Sequence, residues 1–234
     1  LAGEALEAAG ADIEYSAGRF RVAGTDLGID LFELAGRQPE RRIAIKTTQK
    51  VGGPSVKPYQ PDGLWKEVIM QDFEYDQAKG PDLYRRSLYT FWKRTSAPPM
   101  MMNFDASQRE ACTVRENRTN TPLQALNLMN DVTFVEAARF IGQRMLLEGG
   151  ADAESRLRHG FRIALGRLPK PTELAVLRGS LNYHLDYFAG KPAEAKALLW
   201  QGDTRSADLP ERELAAYQAV ASLLLNTDEF VTKE

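Results

Sequence analysis

The sequence predicts a mainly α protein, with a C-terminal helical bundle, an extended proline-rich arm ahead of it, and minor β structure near the N-terminus. Three observations carry this prediction. From Asn120 onward, apolar residues recur at helical spacing between clear start and stop signals. Between Gly52 and Gly63, glycine and proline are too dense for helix or central strand. Ile13-Glu14-Tyr15 and Phe20-Arg21-Val22 flank Ala17-Gly18 as the arms of a hairpin would.

Residues 1–50 form one segment, a small β/α piece. Arg42 to Lys46 alternates as a strand does, and Asp30 to Ala35 reads as one helical turn or two. Residues 51–234 form the second segment, divided into an irregular arm and central block over 51–118 and a bundle over 119–234. The arm is expected to drape over the bundle through Val56, Tyr59, Leu64 and Trp65. Leu88 to Trp92 has β-type residues but also suits a short helix. Ala97-Pro98-Pro99 marks a sharp boundary.

The bundle begins at Thr119-Asn120-Thr121-Pro122, where polar capping residues precede a proline whose missing N–H costs nothing at a first helical turn. Leu123, Leu126 and Met129 follow at helical spacing. After Asn130-Asp131 a second run places Phe134, Val135, Ala138, Ile141, Met145 and Leu146 on one face and ends at Gly149-Gly150. Asp152 caps a helix through Leu157, Phe161, Ala164 and Leu165 that closes at Gly166. Pro171 opens another, striped by Leu174, Leu177, Leu181 and Leu185 and stopped by Gly190. Pro192 starts a short helix to Trp200, Gln201 to Leu209 reads as a polar loop, and Pro210 begins a last helix through Leu214, Tyr217, Val220, Leu224 and Leu225. Connections this short favour antiparallel neighbours.

Composition narrows the function classes. The 234 residues carry a net charge of −2, with 43% hydrophobic and 26% charged residues, so the chain has neither the field of a nucleic-acid binder nor the make-up of a disordered one. No apolar run approaches the roughly 20 residues of a membrane span. The chain starts without methionine and shows no signal peptide, which reads as a fragment or processed product. One cysteine, Cys112, excludes an internal disulfide or a Cys-x-x-Cys-His haem attachment, and with only His159 and His184 beside it no zinc site is expected.

The stretch from Tyr84 to Ala137 is where a site is expected. Asp105 and Glu110 are the acid–base candidates, accompanied by Glu116 and interleaved with Arg109, Arg115 and Arg118. Two carboxylates about 5–10 Å apart can hydrolyse a glycoside, and arginine forks beside them can orient an anionic substrate. The structural alternative is that these arginines pair with these acids and hold an irregular loop. Arg85, Arg86 and Trp92, set among Tyr84, Tyr89 and Phe91, suit ligand stacking or, equally, a core with solvated cations. Asn120 lies at a helix start whose free N–H groups suit an anion or a simple cap.

Several of these stretches together resemble a known family. They are Gly52-Gly53-Pro54-Ser55-Val56-Lys57-Pro58-Tyr59-Gln60-Pro61, Tyr84 to Thr95, Phe104-Asp105-Ala106, Arg118 to Leu126, and Leu225-Asn226-Thr227-Asp228-Glu229-Phe230. The chain over about residues 51–234 resembles the C-terminal domain of unknown function of large planctomycete-type, cytochrome-c-associated multidomain proteins. The resemblance implies a mainly helical fold and an exported, periplasmic or otherwise extracytoplasmic location. It also implies preceding domains as partners, and haem held in another domain, with no cofactor in this chain. Residues 1–50 depart from the family pattern, through an insertion or a shifted reading frame. The leading expectation is an interaction module that docks a partner domain or an anionic glycan through the Arg85–Arg118 surface. A glycan-acting enzyme and a purely structural cap are the alternatives.

Overall fold

The computed structural model describes residues 13–16, 19–22, 28–30, 50–64, 74–93, 97–107 and 119–232. The chain divides into two compact units, Leu1–Arg42 and Ile43–Glu234. In the first unit, β1 (Ile13–Ser16), β2 (Arg19–Val22) and β3 (Gly28–Asp30) form an antiparallel sheet in the order β1-β2-β3. Tyr15 opposes Phe20, and Arg19 opposes Asp30. The expected hairpin is present, and Asp30 belongs to a strand where a helical turn was expected. The strand expected over 42–46 lies outside the described residues.

The second unit is mainly helical, as the periodicity predicts. Its helices are α1 (Pro99–Asn103), α2 (Pro122–Asn130), α3 (Val132–Glu148), α4 (Ala153–Leu165), α5 (Pro171–Gly190), α6 (Pro192–Leu199), α7 (Glu211–Leu225) and α8 (Asp228–Val231). The short α1 and α8 went unread in the sequence: α1 is a single turn begun by Pro99 where a boundary was expected. The other starts follow their capping chemistry. Thr121 Oγ1 accepts from the Gln124 amide while Gln124 Oε1 accepts from the Thr121 amide, a reciprocal capping box. Asp131 and Asp152 accept from the amides of Thr133 and Ser155. Gly166, with φ of 74°, ends α4 in the left-handed conformation.

The core lies around α7, where Ala215, Ala216, Val220 and Ala221 are fully buried. Its largest interface is with α3. A Cβ at Gly142 would sit 2.8 Å from the Gln218 amide nitrogen, so the two helix backbones approach as closely as they do only because position 142 is glycine. Leu174, Leu177, Leu181 and Phe188 of α5 and Leu199 of α6 complete the core with Ile141, Met145 and Leu157.

The helix α2 forms, but its row of Leu123, Leu126 and Met129 faces outward, at 58%, 53% and 51% exposure. The inward face carries Leu128 and the capping residue Gln124 instead. In nine residues, both faces of α2 bear leucine, and the face that turns in also carries Gln124 of the capping box.

Ahead of the helices, residues 50–64 and 74–93 make an irregular strap. Val56 forms a parallel bridge with Thr90, its amide donating to Tyr89 O and its carbonyl accepting from Phe91 N, both at 2.8 Å. Two 3-10 turns, Gly80–Tyr84 and Ser87–Tyr89, shape the rest. Val56 is buried and Tyr59 is half-buried, as draping requires, whereas Leu64 is exposed and Trp65 lies outside the described residues.

Candidate functional site

Of the residues expected to form a site, those described serve separate places. Arg85 is buried, and its guanidinium donates to three strap carbonyls, of Pro54 at 2.9 Å, Gly52 at 2.6 Å and Lys50 at 3.1 Å. It lies 3.8 Å over the Tyr89 ring, whose hydroxyl accepts from the Gly52 amide. Gly52 and Gly53 have φ of 76° and 88°, which turns the chain tightly enough for the carbonyls to converge. Arg86 is exposed and Trp92 half-buried.

Asp105, with φ of 58°, accepts two hydrogen bonds from Thr119 through Oδ2, at 3.0 Å from the amide and 2.6 Å from Oγ1. It thereby fastens the end of α1 to the start of α2. Asn120 donates to Asp228 Oδ1 at 2.6 Å, which ties the start of α2 to α8. Arg109, Glu110, Arg115, Glu116, Arg118 and Cys112 lie outside the described residues. His184 is half-buried against Tyr183 and Phe188, burial lowering its pKa, and His159 faces Glu148 at 3.4 Å. Among the described residues no group of three or more His, Cys, Asp or Glu is gathered to hold a metal ion, and no helix is long and apolar enough to cross a membrane.

Among the described residues, the densest polar centre gathers around Glu136. Glu136 and Arg139, one turn apart on α3, are 1% and 0% exposed and pair at 3.1 Å. Arg139 also donates to the carbonyls of Leu199 at 2.5 Å, Gln201 at 2.6 Å and Thr204. It thereby folds the polar loop after α6 down onto α3. Thr204 returns its amide to Glu136 Oε1 at 2.9 Å. Two phenols from the strap reach the same carboxylate: Tyr84 lies 3.0 Å from both oxygens and Tyr59 3.4 Å from Oε2. Tyr84 also bonds Thr204 Oγ1 at 2.6 Å, and Tyr59 accepts from the Asp203 amide at 2.7 Å.

Gly202 closes the arrangement. Its φ is 84°, and a Cβ there would stand 2.6 Å from Glu136 Cδ. Burial pushes both phenols up, the Tyr84 bond adding to the rise at Tyr59 and the Glu136 carboxylate to that at Tyr84. Burial also lowers Arg139, against the opposing pull of Glu136. A buried ion pair must have its remaining donors and acceptors matched to be tolerated. Here the carboxylate is matched by a guanidinium, two phenols and an amide. Such a centre keeps its charge occupied internally and has no lone carboxylate poised for proton transfer.

Residues 41–181, more than half of the chain, match a family described as PSD1, protein of unknown function (DUF1553). The chain belongs to the PSD1 family. The PSD1 match runs from ahead of the strap into α5 and so includes Tyr59, Tyr84, Glu136 and Arg139. No curated protein and no solved structure matches the chain.

The stretch Tyr84–Ala137, where a site is expected, holds Tyr84 and Glu136 of this centre, but neither was singled out in the sequence, and Tyr59, Arg139 and Thr204 lie outside it. The available signal was a Glu and an Arg inside the apolar run Phe134-Val135-Glu136-Ala137-Ala138-Arg139-Phe140-Ile141. A charged pair embedded at core spacing costs free energy unless both members are paired.

Proposed function

We propose that this chain is an interaction module of an exported, cytochrome-c-associated multidomain protein, and that the apolar row of α2 docks a partner domain of that assembly. The observation that carries the reading is the row itself. Leu123, Leu126 and Met129 stand out from a helix with no charged residue, anchored at its start by Asp105–Thr119 and Asn120–Asp228. Motif resemblance supplies the exported, cytochrome-associated setting, with any haem held in another domain.

The size of the row favours a tethered partner. Each side chain is a little over half exposed, so covering all three contributes about 3 kcal/mol. Micromolar association of free molecules needs about 8 kcal/mol. A domain joined through the same polypeptide needs far less, because its effective concentration is high. The anionic-glycan alternative has less support among the described residues. Arg85 is turned inward onto carbonyls, and Asn120 sits against the Asp228 carboxylate, which repels anions.

The test compares heteronuclear NMR spectra of the labelled chain alone and joined in one polypeptide to a preceding cytochrome c domain. Shifts centred on Leu123, Leu126 and Met129, lost in Leu126→Lys, are expected. Binding that survives Leu126→Lys would overturn the reading. Shifts around Arg86 with a sulfated oligosaccharide would replace it by glycan recognition.

A further inference from the structure

We propose that the outer face of α5 pairs with the same face of a second copy of this chain, the two helices running antiparallel and crossing at Gly179. Leu174, Leu177, Leu181 and Phe188 of α5 turn into the core. At helical spacing on the opposite side stand Thr172, Val176, Gly179, Asn182, Tyr183 and Asp186, every one exposed. The outer face of a helix in water ordinarily carries many charges, whereas this one carries Asp186 alone. Arg178 lies at its edge and is turned to Glu154. Val176 and Tyr183 are 64% and 63% exposed. The Tyr183 ring is held in place, stacked on Tyr187 at 6.1 Å and edge-on to His184 at 5.1 Å.

Gly179 is the second support. Glycine weakens a helix interior relative to alanine, and elsewhere in the bundle its neighbours account for it. A Cβ at Gly142 would strike α7, and one at Gly160 would strike Met145. A Cβ at Gly179 would meet nothing within 4 Å. Nothing packed on α5 within the chain calls for glycine there. A helix backbone arriving from outside would, as α7 does at Gly142.

A second copy fits because the face is complementary to itself. In an antiparallel pair crossing at Gly179, positions equally far from it stand opposite one another. Tyr183 then meets Ala175, which leaves room for the ring, and Val176 meets Asn182. Asp186 meets Thr172 in the first turn of the other α5, at the positive end of that helix and next to Lys170. A parallel pair would instead set tyrosine against tyrosine and Asp186 against Asp186. The 20 residues of α5 give a contact about 30 Å long and one helix wide. A contact this narrow falls below the roughly 1,200 Å² of stable complexes, so the pairing is weak and depends on concentration. It is independent of the docking row on α2.

Sedimentation velocity of the intact chain, over a series reaching about 1 mM, tests it. The sedimentation coefficient should rise with concentration toward that of a dimer. Gly179→Arg, whose side chain has open space in the single chain, should weaken dimerisation by more than about tenfold without lowering Tm. Val176→Glu on the same face repeats the test should the arginine disturb the helix. Asp186→Asn should weaken pairing about twofold to fivefold, and tighter pairing would indicate the parallel arrangement and overturn the antiparallel one. Leu126→Lys on α2 should leave the dimer unchanged. A chain that stays monomeric throughout the series would overturn the proposal. So would a dimer that survives both Gly179→Arg and Val176→Glu, or one that is lost in Leu126→Lys.

Discussion

Replacing Gly202 by alanine would put a methyl group where the Glu136 carboxylate already sits. The new Cβ would lie 2.6 Å from Cδ, 2.7 Å from Oε1 and 2.9 Å from Oε2. Glu136 has no room to retreat, since Arg139, Tyr84 and the Thr204 amide hold it. Two costs add. A left-handed φ of 84° disfavours any Cβ-bearing residue, by about 1–2 kcal/mol. Forcing atoms into a filled site adds about 1–3 kcal/mol.

Gly166→Ala separates the two. Its φ of 74° is similar, but a Cβ there meets nothing within 4 Å, so only the backbone cost applies. For a domain of this length each kcal/mol lowers Tm by about 2–4 °C. Calorimetry should therefore show Gly166→Ala melting about 2–8 °C below the native chain and Gly202→Ala about 4–20 °C below it, the second variant the lower of the two. Equal shifts for the two variants would refute the claim that the loop is packed directly on the Glu136 carboxylate.

Two further outcomes follow from the packing and from the charges. Leu128→Ala should cost about 2–5 kcal/mol in urea denaturation because Leu128 is buried. Leu126→Ala, two residues away on the exposed row, should cost less than about 0.5 kcal/mol, and similar costs would contradict the orientation of α2. Glu173 is held down to about 2, from an ordinary 4.5, by the Arg167 guanidinium and the Lys170 amide. Its folded pKa lies below its unfolded one, so the stabilisation is present above about pH 4.5 and is lost as pH falls toward 2. The urea-midpoint gap between the native chain and Arg167→Gln should accordingly shrink over that window and in high salt, and a constant gap would refute the pairing.

Much of the fold was legible because this chain marks its helix ends with local chemistry. Thr121-Pro122, Asp152, Pro171, Pro192 and Gly166 each act within a few residues of where they stand, so the segment alone reveals them. The Glu136 centre is built the opposite way. Tyr59 and Tyr84 reach it across 77 and 52 residues of sequence, and Thr204 across 68, and its loop contributes backbone carbonyls that leave no trace in side-chain identity. Arg85 illustrates the same limit: a cation in an aromatic stretch looks available to a ligand, but its partners are carbonyls 31 to 35 residues earlier. The outward row of α2 was ambiguous for another reason. Leu123, Leu126 and Leu128 lie on two faces of one short helix, and periodicity alone does not choose between them.

The pairing of α3 with α7 bears on the order of events during synthesis. α7 supplies the fully buried alanines against which α3 closes, and Gly142 meets its partners 75 and 76 positions later in the chain, at Tyr217 and Gln218. The helices α3 to α6 therefore emerge from the ribosome with their inner faces uncovered, and the bundle seals only after Leu225 has appeared. Contacts this distant slow folding, and uncovered apolar faces invite association in the interval. The interval between the appearance of α3 and that of α7 is therefore when the nascent chain exposes the apolar faces that α7 later covers.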